Sequence, residues 1–258
     1  MARAIAIIPA RMASSRFPGK PLKPLLGMPL VGHCLKRAKL VPEIQEVYLA
    51  TCDEELASYG SSIGFTAVMT SASHRRAATR TAEALATIQQ LEPTKPIEIV
   101  VMIQGDEPLI PPGSISKLIR AFDDPSVSIV NLLSRIEDEA VFRDKNNVKA
   151  VISNRGHVLY FSREPIPCAW TNEFTQNPLL QTGVIGFRPE ALAEFNSMPE
   201  TSLEVIESVD MNRVLESGGL VTAVVIDHPT LGVDTAAELT VAESLLAKDE
   251  HFKRYMAT

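Results

Sequence analysis

This chain of 258 residues has little cysteine, no long apolar run and no surplus of positive charge, and each shortage excludes something. Its three cysteines, Cys34, Cys52 and Cys168, stand far apart. Their spacing fits neither a zinc site nor a disulfide framework, and reads as incidental thiols in a reducing compartment. No apolar stretch is long enough to span a bilayer. The first residues enter a strand-like run with no apolar segment of signal-peptide length, so a cytoplasmic protein without membrane attachment is expected. The formal net charge is −6, with an isoelectric point near 5.5, which argues against non-specific nucleic-acid binding. Two familiar phosphate-binding signatures are also missing. No Gly-Lys-Ser/Thr ending makes a Walker A loop, and G-x-G-x-x-G is absent. There is no internal repeat, low-complexity segment or linker.

What is there is a soluble-enzyme composition, 45% hydrophobic and 22% charged, enough to bury a full core. Short apolar runs alternate with helical patterns through the first half. Strands are expected at 4–8, 46–50, 65–69 and 99–103, and helices at 29–40, 54–63 and 79–91. The run Ile99–Ile103 is apolar throughout, as suits a strand buried on both faces. This order implies an α/β fold with a parallel sheet and right-handed crossovers. The second half is less regular. A helix at 114–122, a strand at 127–132, a hairpin of 148–152 with 158–161, and an exposed loop at 168–178 are expected. A strand at 180–187, one helix over 203–215, a strand at 221–226 and a helix at 235–246 follow, and the charged tail from Lys248 is expected to fray. The whole reads as a single domain over 1–258: an open, mostly parallel sheet flanked by helices, with an inserted hairpin as a lid or dimer arm. Its nucleotide-binding half covers about 1–125 and its acceptor and dimerisation half about 126–230.

In such a sheet ligands bind beyond the carboxyl ends of the strands, and the polar clusters sort to that edge. After the first strand comes a loop, 9–21, with three cations (Arg11, Arg16, Lys20), two hydroxyls (Ser14, Ser15), Gly19 and three prolines. Small residues and cations on a strand-to-helix loop make a phosphate cradle. Thr51 and Asp53 follow the second strand, with Asp53 suited to cap the next helix. His74, Arg75, Arg76 and Arg80 follow the third and suit an acidic substrate, phosphates or a solvated basic turn. His74 fits substrate contact or a structural role, since no Ser/Asp partner suggests a triad. Asp106 follows the apolar strand, and Asp234 sits in a Gly-Val-Asp-Thr turn. Paired carboxylates facing a triphosphate are a usual way to hold Mg²⁺. Asp106 also suits a turn cap and Asp234 the N-cap of the last helix, and both pairs of roles stay open from the residues alone.

These motifs carry a resemblance. The loop Pro9-Ala10-Arg11-Met12-Ala13-Ser14-Ser15-Arg16-Phe17-Pro18-Gly19-Lys20-Pro21-Leu22 is similar to the opening motif of the 3-deoxy-manno-octulosonate (Kdo) cytidylyltransferases. Further matches are Ala50-Thr51-x-Asp53, Met69-Thr70-Ser71, Gln104-Gly105-Asp106-Glu107-Pro108, Val148-Lys149, Tyr160-Phe161-Ser162-Arg163, Ile166-Pro167, Gly183 to Arg188, Leu203-Glu204-x-Ile206-Glu207 and Gly232-Val233-Asp234-Thr235. They span nearly the whole chain. The resemblance implies a Rossmann-like nucleotide-diphospho-sugar transferase fold. It implies transfer of CMP from CTP to an acidic sugar with release of pyrophosphate, Mg²⁺ as cofactor, and a homodimer. By the same resemblance, Arg11, Lys20 and Asp106 are catalytic, and Asp106 and Asp234 hold the metal. Ala10, Arg11, Ser14, Ser15, Lys20, Thr51, Asp53, Thr70 and Gln104 line the nucleotide, and Arg163, Gln181 and Glu207 lie near the acceptor; the cluster His74, Arg75, Arg76 and Arg80 is expected on the acceptor side from its own charge and position.

Three departures fall on the acceptor side. The family usually reads His-x-Ser-Gly-Thr-Asp-Arg where this chain has His74-Arg75-Arg76-Ala77-Ala78-Thr79-Arg80. It usually has a His and an apolar residue where Gln181 and Thr182 stand, and Glu-Gln-Leu-Arg where Asp210-Met211-Asn212-Arg213 stands. The nucleotidyl chemistry is therefore expected to be kept, with the acceptor open between a Kdo-like acid and a small anion such as a phosphonate of the phosphonoformate type. A catalytically silent nucleotide-binding regulator is the reading from another class; intact Arg11, Lys20, Asp106 and Asp234 count against it.

Overall fold

The computed structural model describes residues 3–13, 17–168, 170 and 178–257. In chain order the first half comprises β1 (Ala4–Pro9), β2 (Pro24–Leu25), β3 (Met28–Pro29), α1 (Leu30–Lys39), β4 (Ile44–Thr51), α2 (Glu54–Ser62), β5 (Thr66–Met69), α3 (Ala77–Leu91), β6 (Ile99–Ile103) and α4 (Pro112–Arg120). There follow β7 (Ile129–Arg135), α5 (Glu139–Arg143), β8 (Lys149–Ile152), β9 (Val158–Ser162), β10 (Leu179–Phe187), α6 (Pro189–Ser197), α7 (Ser202–Glu207), α8 (Asn212–Glu216), β11 (Thr222–Ile226), α9 (Ala236–Leu246) and α10 (Glu250–Met256).

One sheet runs in the order β11-β7-β10-β6-β1-β4-β5, with β8 and β9 branching from β10. The pairs β1/β4, β1/β6, β4/β5 and β7/β11 are parallel, whereas β10 lies antiparallel between β6 and β7. The mostly parallel sheet read from the sequence is thus present. The antiparallel β10 joins the two halves at their centre. Side chains alternate across the sheet. Ile5 and Ile7 of β1 pack among Leu85, Ile88, Leu192 and Phe195 on one face, while Ala4, Ala6 and Ile8 pack among Val31, Leu35, Ile115 and Leu118 on the other. Both faces are covered by helices, which is why the central strands carry no polar alternation.

The structure corrects several expectations. The helix expected over 203–215 is two helices, because Ser208 takes a left-handed conformation with φ of 53°. The expected strand, helix and hairpin positions otherwise hold to within a few residues, but α5, α6 and the small β2/β3 hairpin have no counterpart in the sequence reading. The tail does not fray: α10 packs on α1, with Tyr255 2% exposed. His33 Nδ1 accepts from the Tyr255 hydroxyl at 2.7 Å, and Arg37 donates to Asp249 at 2.8 Å. Alternating charge in the tail hid these contacts, which come from the far end of the chain. Most of the loop expected at 168–178 lies outside the described residues.

Candidate active site

The site sits where the carboxyl ends of β1, β4, β5 and β6 meet the segment after β11. The loop after β1 is closed by backbone: the Gly19 amide donates to the Met12 carbonyl at 3.2 Å and that of Lys20 to Phe17 at 3.1 Å. Gly19 holds φ at 70°, a value few side chains tolerate, and so turns Lys20 inward. Lys20 is 9% exposed, and its ammonium bridges two carboxylates, donating to Asp106 Oδ2 at 2.6 Å and Asp234 Oδ1 at 2.8 Å. Burial works against this charge, but the two acids more than offset it and hold the lysine pKa above its usual value. The residues that the sequence picked as one loop cation and two acids 128 positions apart thus form a single cluster.

The acid loops are tied together by main chain, the Val233 amide donating to the Asp106 carbonyl at 2.9 Å. Asp234 is not the helix cap. Thr235 caps α9, accepting from the Glu238 amide, while Glu238 accepts from the Asp234 amide at 2.7 Å. That leaves the Asp234 carboxylate directed at Lys20. Two oxygen donors facing one ammonium already accommodate a compact cation, and hard carboxylates completed by phosphate oxygens suit Mg²⁺. Among the described residues no group of three or more His, Cys, Asp or Glu could hold a metal by itself. The donor set therefore fits a cation shared with a substrate.

Glu107, beside Asp106, did not figure among the expected site residues. Its Oε1 accepts the Gly183 amide at 2.7 Å, and its Oε2 is buried without a partner among the described residues. Burial and the neighbouring Asp106 push its pKa up to about 7. Gly183 sits against Gln104: a Cβ there would lie 2.8 Å from that side chain's Cβ. The Gln104 amide donates to the Gly183 carbonyl at 2.9 Å. The sequence signals for Glu107 were its place beside Asp106 at the end of the buried strand and inside the Gln-Gly-Asp-Glu-Pro block.

Around the loop, Ala10 is buried and its amide donates to the Ala50 carbonyl at 3.0 Å. Asp53 stands at the start of α2, yet its side chain does not cap it. It accepts the Met12 amide at 2.8 Å instead and so pins the phosphate loop to β4. Thr51 is buried; its hydroxyl accepts from the Asp53 amide, and its carbonyl from the Thr70 amide at 2.8 Å. Thr70 in turn accepts from the buried Arg80 at 2.5 Å. Arg80 is thus a pillar behind the nucleotide side, away from any open acceptor surface. Arg11 is exposed and donates to the His74 carbonyl at 3.2 Å. Ser14 and Ser15 lie outside the described residues.

The His74 ring lies between the Thr79 hydroxyl and the Glu83 carboxylate. Glu207 Oε1 accepts from the Tyr160 and Ser162 hydroxyls and Oε2 from the Arg163 amide, holding β9 against α7. The Arg163 guanidinium donates to the carbonyls of Lys145, Asn146, Glu207 and Ser208. Gln181 is set apart from these, donating to Asn131 at 2.7 Å where β10 bulges against β7. Arg76 reaches Ser208, and Arg75 is exposed.

The chain is matched by known proteins. The family described as cytidylyltransferase matches residues 5–225. The 3-deoxy-manno-octulosonate cytidylyltransferase of Thermodesulfovibrio yellowstonii is 38% identical, covering 94% of this chain and 97% of the relative; that of Zea mays is 36% identical, covering 95% and 81%. A solved structure of CMP:2-keto-3-deoxy-manno-octonic acid synthetase complexed with CTP superposes with a TM-score of 0.84 at 31% identity, covering 96% of this chain and 99% of the other. The fold is therefore of the nucleotide-diphospho-sugar transferase type. With a lysine bridging two acids over a closed basic loop, and with relatives along almost its whole length, this chain belongs to the 3-deoxy-manno-octulosonate cytidylyltransferase family and is a CTP-dependent nucleotidyltransferase.

Proposed function

We propose that this chain transfers CMP from CTP to 3-deoxy-manno-octulosonate and releases pyrophosphate. The observation that carries this reading is the Lys20 bridge between Asp106 and Asp234, in a chain whose relatives bear that activity in their names. An acceptor hydroxyl oxygen forms a bond to the α-phosphorus as the bond from that phosphorus to the α–β bridging oxygen breaks. The hydroxyl proton leaves to solvent, and pyrophosphate departs. Lys20, charged and buried, meets the triphosphate as a compact point charge, and Arg11 supplies a second cation from the exposed side. Asp106 and Asp234 would hold Mg²⁺, which polarises the reacting phosphoryl group when bound. Glu107, accepting from the Gly183 amide, ties the acid loop to β10. Neither a phosphonate acceptor nor a silent regulator gains support from the relatives.

A homodimer and cytoplasmic residence belong to the same reading. Exposed apolar side chains on the acceptor half, Leu159, Val205, Ile206 and Leu220, suit burial against a second copy. The test of function is pyrophosphate release from CTP with Mg²⁺ and the octulosonate, with the CMP-sugar identified by mass. Turnover is expected; a purified, folded enzyme inert toward this acid overturns the reading.

A further inference from the structure

Five basic side chains were expected on the acceptor side, and the structure commits three of them to the protein itself. The His74 ring is held by Thr79 and Glu83. Arg80 is 2% exposed behind Thr70. The Arg163 guanidinium meets four backbone carbonyls. Arg75 and Arg76 remain, and both lie in the stretch that departs from the family pattern. Arg75 is exposed and has no protein partner among the described residues.

Arg76 spans the two halves. From the start of α3 its Nη1 donates to the Ser208 hydroxyl at 2.9 Å and the Ser208 carbonyl at 3.3 Å. Arg163 Nη2 reaches that same carbonyl, also at 3.3 Å. Two guanidiniums therefore converge on one oxygen at the left-handed turn after α7. Arg76 Nε lies 3.8 Å from Glu204, which Arg213 already engages through both its oxygens at 2.6 and 2.8 Å. Asp210 also lies near Arg76, so the third departure from the family pattern sits against the first. These acids anchor the side chain. Its Nη2 has no protein partner among the described residues, and the side chain is 25% exposed. Two residues earlier, the His74 carbonyl touches Arg11 of the phosphate loop. Arg76 thus stands close to the Arg11 loop on one side and to the turn after α7 on the other.

We propose that Arg76, with Arg75 beside it, binds the acceptor's carboxylate and is the specificity-determining residue of this chain. This rests on the acidic-sugar reading above. A guanidinium with an open edge and a fixed stem pairs with a planar carboxylate better than a small side chain does, and the second cation at Ser208 adds to the field. Nothing in the step is covalent.

The test compares the acceptor acid with its carboxamide in a pyrophosphate-release assay, in wild type and Arg76→Ser. Losing one charge-assisted pair corresponds to roughly a ten- to hundredfold rise in KM for the acid. KM for CTP should stay within about twofold, and the wild-type preference for acid over amide should collapse in the variant. Arg76→Lys should recover part of that preference. If Arg76→Ser keeps the full preference, or raises both KM values together, the proposal is overturned. A wild-type enzyme inert toward the acid removes the function reading and this inference with it, a result distinct from either. Should Arg76→Ser fail to fold, Arg76→Gln and Arg75→Ser carry the same comparison.

Discussion

Lys20 bridges Asp106 and Asp234, so a change at any one of the three alters the charge balance of the other two. On the proposed reading, Asp106 and Asp234 would hold Mg²⁺ and leave the Lys20 ammonium to pair with phosphate. Replacing Asp106 by Asn removes one anionic ligand and one of the lysine's partners. Turnover is expected to fall by roughly a hundredfold or more, read as kcat/KM for CTP. Lys20→Met leaves two carboxylates facing each other without a counter-charge, which favours any cation that takes its place. Its melting temperature should therefore rise more with added Mg²⁺ than that of wild type, while its activity is lost. Equal Mg²⁺ shifts in the two proteins would count against a shared cation site.

At the scale of elements, the break between α7 and α8 matters most. A continuous helix over 203–215 would carry Ser208 past the reach of Arg76 and Arg163. The left-handed turn instead presents its carbonyl to both. Glu207 sets that turn by accepting from Tyr160, Ser162 and the Arg163 amide. Partial burial works against its charge, but these donors outweigh it and hold its pKa below the usual carboxylate value of 4.5. A depressed folded-state pKa stabilises above the unfolded value and is lost as pH falls through the folded one. Thermal melts should therefore show wild type more stable than Glu207→Gln at neutral pH. The gap should narrow below about pH 4.5. A constant gap from pH 7 to pH 3 would mean that the charge on Glu207 is not what holds the turn.

For the whole molecule, one sheet carries both halves of the chain, and the antiparallel β10 between β6 and β7 brings the second half beside the first. The exposed apolar side chains of the acceptor half lead to the prediction of a dimer in solution. Light scattering should give twice the chain mass of 28.1 kDa, and Ile206→Glu, at a side chain 76% exposed, should shift it toward one. An unchanged mass in that variant would place the contact elsewhere.

The local pattern of apolar residues sufficed for the α/β alternation and the buried central strand. These depend on periodicity and short-range turn chemistry, which a sequence carries directly. Motif order pointed to Asp106 and Asp234 as partners. Only the tertiary structure decided that Lys20 joins them and that Asp53 clamps the loop rather than capping α2. It also decided that Arg80 and Arg163 serve the protein's own backbone and hydroxyls while Arg76 keeps an open edge. Those outcomes depend on contacts between segments up to 214 residues apart, as between Lys20 and Asp234. Which of several arginines the protein's own backbone takes up and which keeps an open edge is settled by the shape of the packed chain, and no local spacing encodes it.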